Sequence, residues 1–255
     1  MLKSFLQKLP QYDFLYLGDN ARTPYGDKSE EIIFAYVCGA IDFFVEKKCE
    51  LVILACNTAS AVALRRVQQE YLPSRYPSLK VLGVIRPIVE YVAHDLIVKR
   101  VGIMGTKATI KSDSYKKELN NLNQKKLTIS GAAPLLVPLI EEGMMKHVAT
   151  KMILKKYLQP FKLAGVDALV LACTHYPILY NEIVRQMGKR VNVYKTGDIV
   201  ADSLIDYLSR HPELNIVKKD LPQIYFYTSD EPERMIEFGK IILGIEIDRV
   251  KKVII

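Results

Sequence analysis

Leu51-Val52-Ile53-Leu54-Ala55-Cys56-Asn57-Thr58 and Ala168-Leu169-Val170-Leu171-Ala172-Cys173-Thr174-His175 are two copies of one phrase. Each is an apolar run, then Ala-Cys, then small or polar hydrogen-bonding residues, then a segment with helical patterning. An apolar run of this length predicts a strand buried on both faces, as in a parallel sheet. The cysteine then falls at the C-terminal end of the strand, the edge where open α/β sheets bind ligands. It also lies near the positive end of the next helix, which favours a thiolate. A buried free cysteine is often only a small hydrophobe. Two matched copies that each lead into polar residues argue for a site instead. Cys38 and Cys49 have no repeat partner and read as structural.

Composition bounds the rest. A chain of 255 residues that is 49% hydrophobic can build one large or two small α/β domains. Met1 to Pro10 lacks the apolar core of a signal peptide, and no apolar run approaches the length of a membrane span. The four cysteines are irregularly spaced with no CxxC, which fits neither a disulfide framework nor a zinc site. The expected compartment is the reducing cytoplasm. A net charge of +8 suggests an anionic partner. The lysines are scattered singly or in pairs, however, so no nucleic-acid partner and no membrane partner is expected.

Outward from the two cysteines, strands alternate with helices. Residues 2–9 read as an amphipathic helix stopped by Pro10, and Phe14 to Leu17 as a strand ending in Gly18-Asp19-Asn20. Ser29 is placed to cap a helix carrying Ile33, Tyr36, Val37, Ala40 and Phe44 at helical spacing. After the first cysteine strand come a helix over 59–71, breaks at Pro73 and Pro77, and a strand over 79–85 that Arg86-Pro87 closes. The second half reads as a strand over 101–104, a helix over 110–122, a short strand at 127–129 and a helix to 158. The second cysteine strand, a helix begun by Pro177 and a strand over 191–194 follow. Beyond Gly197 lie a helix, a strand over 224–227 and a helix begun by Pro232. Such alternation predicts parallel sheets. The halves match unit for unit, except that the first lacks the opening strand. From this we expect the chain to start inside a longer ancestral domain.

If the two halves face each other across a cleft, two thiols can flank one small ligand. A thiolate can take a proton from one face of a carbon while the opposite thiol returns one from the other. The result is two-base racemisation or epimerisation. This needs no cofactor and no metal, in line with the lack of a ligand cluster. His175, two residues past Cys173, is placed to support that thiol. Asn57, Thr58, Thr106 and Thr174 can hold charged ends of a substrate, together with N–H groups at helix starts.

These residues carry a family resemblance. The stretches Gly18-Asp19-Asn20-Ala21-Arg22-Thr23-Pro24-Tyr25-Gly26, Ala55-Cys56-Asn57-Thr58-Ala59, Gly105-Thr106-Lys107-Ala108-Thr109-Ile110, Val137-Pro138-Leu139-Ile140-Glu141-Glu142-Gly143, Cys173-Thr174-His175-Tyr176-Pro177 and Tyr227-Thr228-Ser229-Asp230 resemble, in family order, the glutamate racemase family of the aspartate/glutamate racemase superfamily. The resemblance implies a cofactor-independent isomerase that interconverts L- and D-glutamate and supplies D-glutamate for peptidoglycan. It implies that Cys56 acts on D-glutamate, and that Cys173 acts on L-glutamate with His175 assisting. Tyr25, Gly26, Asn57, Thr58, Thr106, Thr109 and Thr174 resemble the substrate-binding set, and Asp19 and Glu141 resemble acidic residues that tune the site. The implied fold is two flavodoxin-like, doubly wound α/β domains with the site between them, usually as a homodimer. The expected domains are residues 1–86 plus 196–255, and residues 87–195.

Two departures stand out. The family opens with a strand ending in Asp-Ser-Gly that supports the first cysteine, and this is the same strand the internal repeat lacks. Arg86 also stands where the family commonly has glutamate. Residues 1–255 alone are therefore expected to be poorly stable and nearly inactive, with about fifteen upstream residues restoring both (a strand of roughly 5–6 residues and its loop). Three alternatives follow from the same residues. One is a racemase of aspartate or hydantoins. Another is an inactive truncated homologue with a binding role. The third is a redox dithiol of Cys56 and Cys173.

Overall fold

The computed structural model describes residues 1–122, 126–214, 216–244 and 247–255. Nine strands are described: β1 Phe14–Gly18, β2 Leu51–Leu54, β3 Lys80–Gly83, β4 Arg100–Gly105, β5 Leu127–Ala132, β6 Ala168–Ala172, β7 Asn192–Tyr194, β8 Ile224–Thr228 and β9 Val250–Lys252. Every strand pair is parallel.

The second half of the chain builds one sheet in the order β5-β4-β6-β7. In chain order this is 2-1-3-4, the doubly wound arrangement whose switch point lies between β4 and β6. The strand β6 is buried along its whole length. Its side chains sort by the two-residue period of a strand. Ala168, Val170 and Ala172 enter one apolar core, while Leu169 and Leu171 enter another on the opposite face. The continuous apolar run predicted from sequence is thus a central strand covered on both sides.

The first half has two sheets, β1-β8-β9 and β2-β3. By the repeat, β1, β2 and β3 match β5, β6 and β7. Among the described residues no strand stands between β1 and β2, where β4 stands in the other half. The burial of β2 reflects this. Val52 and Leu54 are buried, whereas Leu51 and Ile53 are half-buried. The expectation that β2 is buried on both faces is corrected, because β2 pairs only with β3.

Three other readings are corrected. Lys80–Gly83 is a strand, but Ile85–His94 is a helix, not the end of that strand. Pro87 sits in its first turn, where an N–H has no partner within the helix in any case. The helix after β2 begins at Asn57 and runs through a π-turn, Val67–Tyr71, to Arg75, past Pro73. Pro73 falls at the start of the last helical segment, where a missing N–H is tolerated. The helix expected over 110–122 starts at Lys107 and breaks at Asp113, whose φ is +56°.

Ser29 does cap its helix, accepting a hydrogen bond from the Ile32 N–H. The helices Ile85–His94 and Thr196–Arg210 are repeat equivalents and pack in one core, which also takes residues from the first helix and from β4 and β6. That core joins the two halves below the ends of the strands. No described helix is long and apolar enough to cross a membrane.

Candidate active site

Four loops at the C-terminal ends of parallel strands build the site. Asp19 follows β1, Cys56 follows β2, Thr106 follows β4 and Cys173 follows β6. Thr106 and Cys173 therefore lie on either side of the switch point.

On the first side, Cys56 is the N-cap residue of the helix Asn57–Val62. That helix is tied down by Ser60, whose hydroxyl donates to the Leu54 carbonyl at 2.8 Å and accepts from the Val84 N–H at 3.2 Å. The sequence suggests that the helix terminus favours a thiolate at Cys56. The balance in the folded chain runs the other way. Desolvation pushes the Cys56 thiol up, the N–H groups of Ala59 and Thr58 and the Thr58 hydroxyl pull it down, and the charge of Cys173 pushes it up further.

Asp19 collects three donors. Arg22 Nε reaches its two carboxylate oxygens at 2.9 and 2.7 Å, Ser229 Oγ donates at 2.7 Å, and the Tyr25 hydroxyl donates to Oδ2. Burial, followed by this bond to Asp19, holds the Tyr25 phenol above its usual range, and the charge of Cys56 adds to the effect. Arg22 also lies over the Tyr36 ring, 4.4 Å from its centroid.

On the second side, Cys173 Sγ lies 4.0 Å from His175 Nδ1, and His175 Nε2 lies 3.2 Å from Glu141 Oε1. Burial works against charge on the imidazole, but its contacts with Cys173 and Glu141 outweigh this and raise its pKa to about 9. His175 is an imidazolium at neutral pH. The bond to His175 in turn holds the Glu141 carboxyl below its usual range. Tyr176 pins the floor of this half, its phenol donating to Gly105 O at 3.1 Å and to Ala133 O at 2.9 Å. Phe238, from the helix Pro232–Leu243, packs against the His175 ring.

The two sides meet. Thr58 Oγ1 lies 2.9 Å from Thr106 Oγ1 and 3.2 Å from Thr109 Oγ1, and Thr106 and Thr109 are 3.0 Å apart. These three hydroxyls close a ring between the halves. Gly26 approaches Thr106 so closely that a Cβ there would lie 2.7 Å from the threonine Cβ. Tyr115, from the second half, donates to Asn57 Oδ1 at 2.6 Å. Thr174 is half-buried beside Cys173.

All twelve residues singled out from sequence thus fall on this one interface or its two flanks. Tyr115, Ser229, Arg22 and Ser60 were not singled out for the site. Ser229 lay within a family-like stretch. Tyr115 gave no signal in the sequence, because its partner is 58 residues away. Cys38 is buried and Cys49 half-buried, both away from the cleft, and all four cysteines are free. Among the described residues, no group of three or more His, Cys, Asp or Glu side chains is gathered to hold a metal ion.

Comparison with known proteins agrees with this geometry. The model of the Asp/Glu/hydantoin racemase family matches residues 14–204. A glutamate racemase of Geobacter metallireducens is 36% identical over 253 residues, covering 99% of this chain and 91% of the relative. One from Aquifex aeolicus is 37% identical over 248 residues, covering 97% and 91%. Among solved structures, a glutamate racemase isoform of Bacillus anthracis superposes with a TM-score of 0.91 at 28% identity, covering 99% of this chain and 91% of that one. The Francisella tularensis glutamate racemase in complex with D-glutamate gives 0.87 at 30% identity, with the same coverage. The chain belongs to the Asp/Glu/hydantoin racemase family.

Proposed function

We infer that this chain, contrary to the expectation of near inactivity drawn from its sequence, racemises glutamate, using Cys56 and Cys173 as the two acid–base groups. The observation that carries the reading is that the two strand-end cysteine loops, one from each half, meet at one polar interface: Thr58, two residues past Cys56, bonds Thr106, and Gly105 before it pairs with Ala172 beside Cys173. The similarity of the whole chain to glutamate racemases selects the substrate.

In the direction from D-glutamate, Cys56 as thiolate takes the Cα proton. The electron pair passes into the α-carboxylate, and Cys173 as thiol delivers its proton to the opposite face. From L-glutamate the roles exchange. Desolvation pushes the Cys56 thiol up. The α-ammonium of a bound amino acid brings in a positive charge, which favours the thiolate. On the other side His175 Nδ1, 4.0 Å from Cys173 Sγ, is placed to pass a proton to that sulfur and take it back. Asn57, Thr58, Thr106, Thr109, Thr174, Tyr25 and the backbone at Gly26 hold the carboxylate ends, while Asp19 and Glu141 tune the two sides. The product is D-glutamate for peptidoglycan. We read the working form as a homodimer in the cytoplasm that needs no metal or organic cofactor. The four free thiols suit a reducing compartment.

The test is racemisation followed by circular dichroism in deuterated water. Each enantiomer acquires deuterium at Cα as it inverts. Cys56→Ala and Cys173→Ala each abolish inversion. Cys56→Ser and Cys173→Ser come close to doing so, because a serine hydroxyl is a far weaker base than a thiol. Inverted product that keeps its original proton would overturn the two-base reading.

A further inference from the structure

Asn57 and Tyr115 come from opposite halves of the chain and are both buried, at 2% and 3% exposure. Asn57 is the first residue of the helix after Cys56. Tyr115 lies in the helix Ser114–Asn121, and its phenol feels the charge of Cys173. The pair therefore spans the boundary between the halves directly after Cys56. The phenol is held far above its usual range, first by burial, so it keeps its proton and donates. Its acceptor is Asn57 Oδ1, at 2.6 Å.

The other end of the amide is the informative one. Asn57 Nδ2 is fully buried and has no hydrogen-bond partner among the described residues. Rotating the amide by a half-turn would give Nδ2 the phenol oxygen. It would also leave both Oδ1 and the phenol proton unmatched, so the observed orientation is the better satisfied one. A buried donor without a partner is costly, and such groups persist where a ligand supplies the acceptor.

We propose that Tyr115 is a positioning residue for substrate. Its phenol fixes the Asn57 amide across the boundary between the halves, so that Nδ2 stands ready as a donor to a substrate carboxylate. The proposal rests on the reading of this interface as the glutamate site. We place this donor on the side-chain carboxylate, which gains no charge as the Cα proton leaves, so it acts alike on the ground state and the transition state. Such interactions appear in KM and leave kcat largely alone.

The experiment uses the full chain and its variants Tyr115→Phe, Asn57→Ala, Asn57→Asp and the Tyr115→Phe/Asn57→Ala double. Kd for D-glutamate is measured by titration calorimetry, KM and kcat by circular dichroism, and folding by thermal melts. Tyr115→Phe keeps the ring and removes the hydroxyl. It should weaken Kd and raise KM about tenfold, with kcat changed about twofold or less. In the Asn57→Ala background, adding Tyr115→Phe should change nothing further. Asn57→Asp preserves an acceptor for the phenol but puts a charged acceptor where Nδ2 stood. It should lose D-glutamate binding and, because a buried carboxylate without a cationic partner is costly, melt below the parent; a folded Asn57→Asp chain that still binds D-glutamate would overturn the role of Nδ2 even if Tyr115→Phe proves unstable. Unchanged KM in Tyr115→Phe, or losses that simply add in the double variant, would overturn the positioning role while leaving the racemase reading intact. A parent chain that neither binds nor inverts glutamate would overturn that reading, and the proposal with it.

Discussion

The imidazole of His175 sits between a thiol and a carboxylate, and both neighbours act on it in the same direction. Its folded pKa of about 9 lies above the ordinary 6.5. The sign of the linkage follows. The stabilising contribution of the charged imidazole is complete below about 6.5 and is lost as pH rises through about 9. Glu141→Gln removes the negative partner while keeping a hydrogen-bonding group of the same size. An opposite charge at this distance shifts a pKa by about 1–3 units. The alkaline limb of kcat/KM for L-glutamate should therefore move down by about one unit in Glu141→Gln, with the acid limb in place. A pH profile that superposes on the parent's would separate Glu141 from the chemistry. At this scale the sequence was informative about the groups and silent about their balance. The cysteine phrases placed Cys56, Cys173 and His175. Whether a helix end or desolvation governs Cys56 depends on burial, which no local pattern encodes.

At the level of elements, the short helix Asn57–Val62 holds Cys56 in place, and Ser60 locks that helix both to the end of β2 and to Val84, the N-cap residue of the helix Ile85–His94. Ser60→Ala leaves the Leu54 carbonyl and the Val84 N–H without their bonds. Each such buried group costs about 1–3 kcal/mol. For a chain of this size, 1 kcal/mol lowers the melting temperature by about 2–4 °C. A calorimetric scan of Ser60→Ala should show a drop of that order or more, accompanied by reduced racemisation because Cys56 loses its footing. A variant that melts with the parent would mean water replaces the hydroxyl. Element boundaries were legible where a side chain itself sets them, as Ser29 does. They were misread at prolines. Pro87 looked like a terminator, yet it occupies a first turn, and the helix Ile85–His94 behind it was missed. A proline ends one helix and begins another with the same covalent geometry, and only the packing partner decides which.

Across the whole molecule, one apolar core runs from Phe5 through Ile88, Val101 and Val170 to Leu204, so it draws on both halves of the chain. Neither half buries this surface alone. Heating should therefore give a single calorimetric transition, raised by saturating D-glutamate through linkage by about 2.7 kcal/mol at a hundred times Kd. Two separated transitions would show that the halves unfold independently. The alternation of strands and helices, the repeat and the meeting of the two cysteine loops were all legible in the sequence, because each half repeats one pattern. What lies across the halves was not. The Thr58, Thr106 and Thr109 ring and the bond from Tyr115 to Asn57 join residues far apart in the chain, and no periodicity records them.

That ring of threonine hydroxyls has a thermal consequence. Each hydroxyl is already engaged before an amino acid arrives. If a carboxylate enters among them, as proposed above, it exchanges one set of hydrogen bonds for another, as solutes do when they leave water. The heat released is then smaller than a tally of new contacts suggests. An enzyme built this way holds its substrate with nearly the same grip on a cold day as on a warm one.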